Sequence, residues 1–255
     1  MLIAEIYASL QGEGLLTGTP SVFVRASGCN LRCWFCDTPY TSWRPEGQDR
    51  SVEEILQEVD RLTPWGGPLA GPENNSDEIK GRQDARPTEP IRHIVITGGE
   101  PMLFAELIPL CEKLRAANYH ITIETAGTLY LPVPCDLMSI SPKLASSTPS
   151  EQLAGKWSAR HEHTRHQPAV IRQLLANYPY QLKFVIDTPA DCEALQTWLA
   201  EFPEANRTRI LLMPQGTDQA SLSQITSWLT PYCESQGFLL CPRKHIEWYG
   251  PTRGT

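Results

Sequence analysis

Short apolar runs alternate with amphipathic ones along most of this chain. Leu2 to Ala8 alternates as a half-buried strand does and runs into a polar stretch, Ser9-Leu10-Gln11-Gly12-Glu13-Gly14, whose glycines let a loop lie close against a ligand. Ser21 to Ala26 is β-branched and of the length of a buried strand. Ser51-Val52-Glu53-Glu54-Ile55-Leu56 opens as a helix, with Ser51 at the N-cap, Glu54 at the capping-box position and apolar residues at helical spacing through Leu62. Further strands are predicted from Arg92 to Thr97, His120 to Thr125, Leu137 to Lys143 with the lysine at its mouth, Gln181 to Ile186, Arg209 to Met213 and Phe238 to Cys241. Helices are predicted from Pro101 through Tyr119, and over Val170 to Asn177, Ala190 to Glu201 and Ala220 to Ser235.

Strands alternating with helices predict an α/β fold with a parallel sheet and right-handed crossovers. About six strands suggest an incomplete barrel, with chemistry gathered at the carboxyl ends of the strands. Two stretches break the pattern. Residues 63–90 are crowded with proline and glycine and too long for an ordinary connection, so they read as a mobile insertion. Residues 145–168 form a second polar interruption carrying His161, His163 and His166 as H-x-H-x2-H. With no periodic scaffold and no carboxylate pattern beside these histidines, a solvated loop outweighs a metal site. The 255 residues, 41% of them hydrophobic, are enough for one good core, and a single domain over 1–255 is expected.

Charge narrows the partners. A formal net charge of -7 argues against a dedicated nucleic-acid or anionic-membrane surface, so the expected partner is a small molecule. There is no apolar run of the roughly 18 residues that a bilayer requires. Met1-Leu2-Ile3-Ala4-Glu5 lacks the charged-then-apolar signal pattern, which leads to the expectation of a reducing cytoplasm.

The chemistry is concentrated in Gly28-Cys29-Asn30-Leu31-Arg32-Cys33-Trp34-Phe35-Cys36-Asp37-Thr38, directly after a predicted buried strand. Cys29, Cys33 and Cys36, at C-x3-C-x2-C, offer three thiolates on one loop. That suits three irons of a cubane [4Fe–4S] cluster and leaves the fourth open. Zinc would want a fourth ligand and paired C-x2-C spacing, and the later Cys233 and Cys241 are too far apart to supply it. A disulfide with a spare thiol ranks below zinc. Cys111, Cys135, Cys192, Cys233 and Cys241 read as small buried hydrophobes. Arg25 sits inside the strand before the cysteines, where an arginine is costly unless it meets an anion. Its partner is either Glu5 or Glu13 in a structural ion pair or, as the favoured reading, a substrate carboxylate held bidentately.

The triplet, with the aromatic Phe35 before its last cysteine, resembles the cluster motif of the radical S-adenosylmethionine superfamily. Asp37-Thr38, Ser9 to Gly14 and Thr97-Gly98-Gly99-Glu100-Pro101 narrow the resemblance to the 7-carboxy-7-deazaguanine synthases of the queuosine and 7-deazapurine pathway, from about Ile3 to Thr255. The resemblance implies a partial parallel β/α barrel in which Cys29, Cys33 and Cys36 hold [4Fe–4S]. S-adenosylmethionine would chelate the open iron and yield a 5′-deoxyadenosyl radical, so that 6-carboxy-5,6,7,8-tetrahydropterin becomes 7-carboxy-7-deazaguanine with loss of ammonia. It carries over Leu10, Gln11, Gly12, Arg25, Thr97 and the Thr255 carboxylate as substrate contacts. Phe35, Gly99, Ser141, Pro142, Lys143 and Gln215 are carried over as contacts to S-adenosylmethionine, and Thr38 as a ligand of Mg²⁺. It further implies a homodimer and a one-electron donor such as flavodoxin or ferredoxin. The alternatives are a radical-generating activase of a partner protein, which would have no need of Arg25 beside the cysteines, and a metal-binding structural module, which would not explain the Gly12, Gly99 and Lys143 loops.

Overall fold

The computed structural model describes residues 1–64, 90–250 and 252–254. Strands β1 (Leu2–Leu10) and β2 (Pro20–Ala26) form an antiparallel pair with Ile6 opposite Val24 and Ala8 opposite Val22. A short α1 (Pro39–Ser42) and the two-residue β3 (Gln48–Asp49), which adds antiparallel to the start of β1, follow the cysteine loop. Helix α2 (Val52–Leu62) begins as the sequence predicts: Ser51 accepts from the Glu54 N–H, the Glu54 carboxylate accepts from the Ser51 N–H, and Ile55 and Val59 are fully buried.

From β2 onward the sheet is parallel. Strands β4 (His93–Gly98), β5 (His120–Thr125), β6 (Leu137–Ile140), β7 (Tyr180–Ile186), β8 (Ile210–Pro214) and β9 (Leu239–Leu240) extend it in the order β3-β1-β2-β4-β5-β6-β7-β8-β9. The end strands β3 and β9 do not pair among the described residues, so the curved sheet remains a partial barrel. β4, β6 and β8 are buried almost throughout because both faces of a parallel sheet are covered. On the outer face lie α3 (Leu107–Ala116), α6 (Pro168–Asn177), α7 (Pro189–Glu201) and α8 (Gln219–Gln236), whose buried Leu114, Leu174, Leu195 and Leu229 join one continuous core.

The structure departs from the sequence pattern in four places. β1 runs antiparallel, because alternation reports a strand and not its direction. The helix expected from Pro101 through Tyr119 is a single 3-10 turn over Pro101–Leu103, broken at the extended Phe104, and then α3. The last strand is cut to Leu239–Leu240, and the basic, aromatic tail turns into α9 (Lys244–Tyr249). The solvated loop expected over 145–168 is instead a 3-10 turn at Ala145–Ser147, α4 (Glu151–Ala154) and α5 (Trp157–Thr164), with His161 fully buried. Most of the 63–90 insertion lies outside the described residues. Its two ends meet, with the Ile91 N–H donating to the Thr63 carbonyl at 2.9 Å.

Candidate active site

The loop after β2 carries the cysteines and is tied down from below. The Gly99 N–H donates to the Ala26 carbonyl at 3.0 Å, the Glu100 N–H to Gly28 at 2.8 Å, and the Gly28 N–H to Thr41 at 2.8 Å. A Cβ on Gly99 would stand 2.0 Å from the Gly28 carbonyl oxygen, which is why this turn needs glycine. The Glu100 carboxylate does not face a ligand. It is fully buried and accepts from Met102 N–H, Ala126 N–H and the Thr125 hydroxyl, bracing the loop after β4 against the end of β5.

Above this brace lies a cavity of about 350 Å³, of the size that takes a small molecule. Its walls bring together the expected Leu10, Gln11, Gly12, Arg25, Cys29, Cys33, Phe35, Cys36, Thr38, Thr97, Gly99, Ser141, Lys143 and Gln215. Pro142 is buried and is not among the residues lining it, and Thr255 lies outside the described residues. Arg25 forms the ion pair with Glu5 that was the structural alternative. Its Nε donates to Glu5 at 2.8 Å and one terminal nitrogen to the Tyr7 hydroxyl at 2.6 Å, while the guanidinium, with five N–H donors in all, lines the cavity. Lys143 donates to the Ser141 hydroxyl at 2.6 Å, and Gln11 to the Ser21 hydroxyl at 2.9 Å. Thr38 stands at the N-cap of α1 without a side-chain capping hydrogen bond; its hydroxyl accepts from the Thr41 hydroxyl at 3.3 Å, and the residue lines the cavity.

All three cysteines are free. Burial pushes the thiol of Cys29 up to about 12 and that of Cys33 up to about 11, so both stay protonated until a metal displaces the protons. Among the described residues no three His, Cys, Asp or Glu side chains are grouped so as to hold a metal ion as they stand. Three soft donors on one cavity wall fit three irons of [4Fe–4S].

Sequence reasoning missed a chain of charges across the cavity. Thr97 donates to Glu124 at 2.9 Å, Lys183 bridges Glu124 at 2.7 Å and Glu13 at 3.1 Å, and Arg243 joins Glu13 at 3.2 Å to the Asp37 carboxylate and, at 2.6 Å, to the Gly216 carbonyl. Burial alone would raise the Glu13 carboxyl, but Lys183, Arg243 and His245 outweigh it and hold the group far below the ordinary carboxylate range. His245 packs on Gly12, where an added Cβ would meet it at 2.6 Å, so the tail closes one side of the cavity. The signal for Lys183 was available: it is a lysine inside the apolar run Leu182 to Ile186, the same pattern that singled out Arg25.

A partial β/α barrel with three free cysteines on the loop after its first parallel strand defines a radical S-adenosylmethionine enzyme, and residues 23–71 match the radical SAM superfamily. A 7-carboxy-7-deazaguanine synthase from Halobacterium salinarum is 41% identical over 96% of this chain and 88% of its own length. One from Rhodopirellula baltica is 38% identical over 100% of this chain and 89% of its own length. The crystal structure of QueE from Escherichia coli has a TM-score of 0.61 at 25% identity, covering 96% of this chain and 94% of that one. The chain belongs to the 7-carboxy-7-deazaguanine synthase family, which sets aside the activase alternative.

Proposed function

We propose that this chain converts 6-carboxy-5,6,7,8-tetrahydropterin to 7-carboxy-7-deazaguanine with release of ammonia, at the cavity between the cysteine loop and the tail. The observation that carries this reading is the convergence of three free cysteines, Arg25, Thr97 and Lys143 on one cavity of a chain in this family. Bound at Cys29, Cys33 and Cys36, a [4Fe–4S] cluster would supply the electron that splits S-adenosylmethionine into methionine and a 5′-deoxyadenosyl radical, which abstracts a substrate hydrogen.

The chain's own part is to orient reactants and exclude water. Arg25, already polarised by Glu5 and Tyr7, has donors left for the substrate carboxylate. Leu10, Gln11, Gly12 and Thr97 line the cavity and, with the Thr255 carboxylate, are assigned to the substrate from the family resemblance. Lys143, Ser141, Phe35, Gly99 and Gln215, which line the same cavity, are assigned to S-adenosylmethionine from the family resemblance, as is Pro142, which is buried and does not line it. Thr38 offers a hard hydroxyl oxygen to Mg²⁺.

The reading extends to a reducing, cytoplasmic setting, supported by eight free cysteines. It includes a homodimer, a flavodoxin or ferredoxin as one-electron donor, and no nucleic-acid or membrane partner; no described helix is long and apolar enough to cross a membrane. The test is an anaerobic assay of reconstituted protein with S-adenosylmethionine, reductant, Mg²⁺ and the tetrahydropterin, followed by mass spectrometry. Formation of 7-carboxy-7-deazaguanine, lost in Cys33→Ala, is the expected result. Cleavage of S-adenosylmethionine without any deazaguanine would overturn the substrate assignment, and absence of a cluster would overturn the site.

A further inference from the structure

The 145–165 segment grips the cysteine loop from its outer side. Between Cys29 and Cys33, the Arg32 backbone N–H donates to Nδ1 of His161 at 3.0 Å, a contact buried from solvent. The other ring nitrogen, Nε2, lies 2.9 Å from the Ser147 hydroxyl, which itself donates to the Leu144 carbonyl at 2.7 Å. Ser147 has only one proton to give, so His161 is the Nε2–H tautomer: it donates to Ser147 and keeps Nδ1 as an acceptor for Arg32. Burial, helped by the charge of Arg165, lowers His161 to about 4, which keeps the ring neutral and the acceptor intact.

The same segment makes three more holds on the loop. The Trp34 N–H donates to the Ser147 carbonyl at 3.2 Å, the Trp34 indole N–H to Ser146 at 2.7 Å, and the Arg32 guanidinium stacks 3.9 Å from the centre of the Trp157 ring. Arg32 also donates to the carbonyls of Cys29 at 2.8 Å and Leu31 at 2.7 Å. The loop between the first two cysteines is therefore fixed in direction by a buried histidine and in charge by a clamped arginine. Outer-shell contacts of this kind orient metal ligands and tune iron–sulfur clusters.

We propose that His161 is a positioning residue for the cluster: by accepting the Arg32 N–H it sets the backbone that aims Cys29 and Cys33, and the 145–165 segment is a clamp that retains the cluster. This rests on Cys29, Cys33 and Cys36 being the cluster ligands, which the iron content and spectrum of the native protein test separately. The experiment compares native protein with His161→Leu, His161→Asn and Ser147→Ala after anaerobic reconstitution. It reads iron release to a ferrous chelator and the electron paramagnetic resonance of the reduced cluster with and without S-adenosylmethionine. His161→Leu is expected to release iron at least tenfold faster with an altered spectrum, His161→Asn, which restores an acceptor, to stay within about threefold of native, and Ser147→Ala to fall between. Native protein that loads a cluster beside a His161→Leu variant with native release and spectrum overturns the proposal. So does a His161→Asn variant as impaired as His161→Leu. If His161→Leu does not fold, a Ser147→Ala variant with native release and spectrum overturns it equally.

Discussion

Lys183→Met tests the charge chain across the cavity with little change in side-chain volume. The Lys183 side chain is 4% exposed and binds Glu124 at 2.7 Å and Glu13 at 3.1 Å. Removing one partner of a buried ion pair costs about 3–5 kcal/mol, because a charge is left without compensation. Here the cost is at the low end or below it, about 2–3 kcal/mol. Glu13 keeps Arg243 at 3.2 Å, Glu124 keeps Thr97 at 2.9 Å, and both carboxylates retain some solvent, with side chains 18% and 31% exposed. For a chain of this length that corresponds to a lowering of Tm by about 5–10 °C. The pH dependence is the sharper test. Glu13 has a folded pKa held below its ordinary 4.5, so the stability from its ion pairs is present above that value and is lost as pH falls through and below it. The variant has less of this stability to lose, so the gap between native and Lys183→Met should be widest near neutrality and narrow at pH 3.5. Urea unfolding of the reduced, metal-free chains at both pH values measures it. A gap under about 1 kcal/mol at pH 7, or one of equal size at pH 3.5, would refute the reasoning.

Other outcomes follow from the same geometry. His161 is neutral in the fold, with its pKa lowered from 6.5 to about 4, so its contribution is complete above 6.5 and is lost as pH falls toward 4; urea titration should show native protein losing up to about 3 kcal/mol over that window relative to a His161→Asn variant, which has no such proton to take up. Gly99→Ala, driving a Cβ to 2.0 Å from the Gly28 carbonyl oxygen, should displace the cysteine loop and abolish cluster loading as read by bound iron. Ser51→Ala removes the α2 capping box and should cost about 1 kcal/mol in urea unfolding with turnover unchanged.

The parts of this molecule that were legible in the sequence are those whose signal is local. The Ser51–Glu54 cap, the apolar strands β4 through β8 and the spacing of Cys29, Cys33 and Cys36 each announce themselves within a dozen residues, and each is found where the pattern puts it. Direction and partnership are not local. The alternation in β1 is the same whichever way the strand runs, and Arg25 between an ion pair and a ligand presents one sequence for both outcomes.

The 145–168 stretch shows why a polar run can hide an ordered element. Helix detection depends on an apolar stripe facing a core, and α5 has none, since what it buries is the His161 imidazole against the backbone of another loop. A neutral histidine, whose two nitrogens match one donor and one acceptor, can be sequestered at little cost when both are satisfied. The three histidines then go separate ways: His161 inward to Arg32 and Ser147, His163 to the exposed face, and His166 to Glu201 at 2.7 Å. His161 and His163 lie on α5 and His166 two residues beyond its end, so the H-x-H-x2-H run spreads in three directions and does not gather at one site.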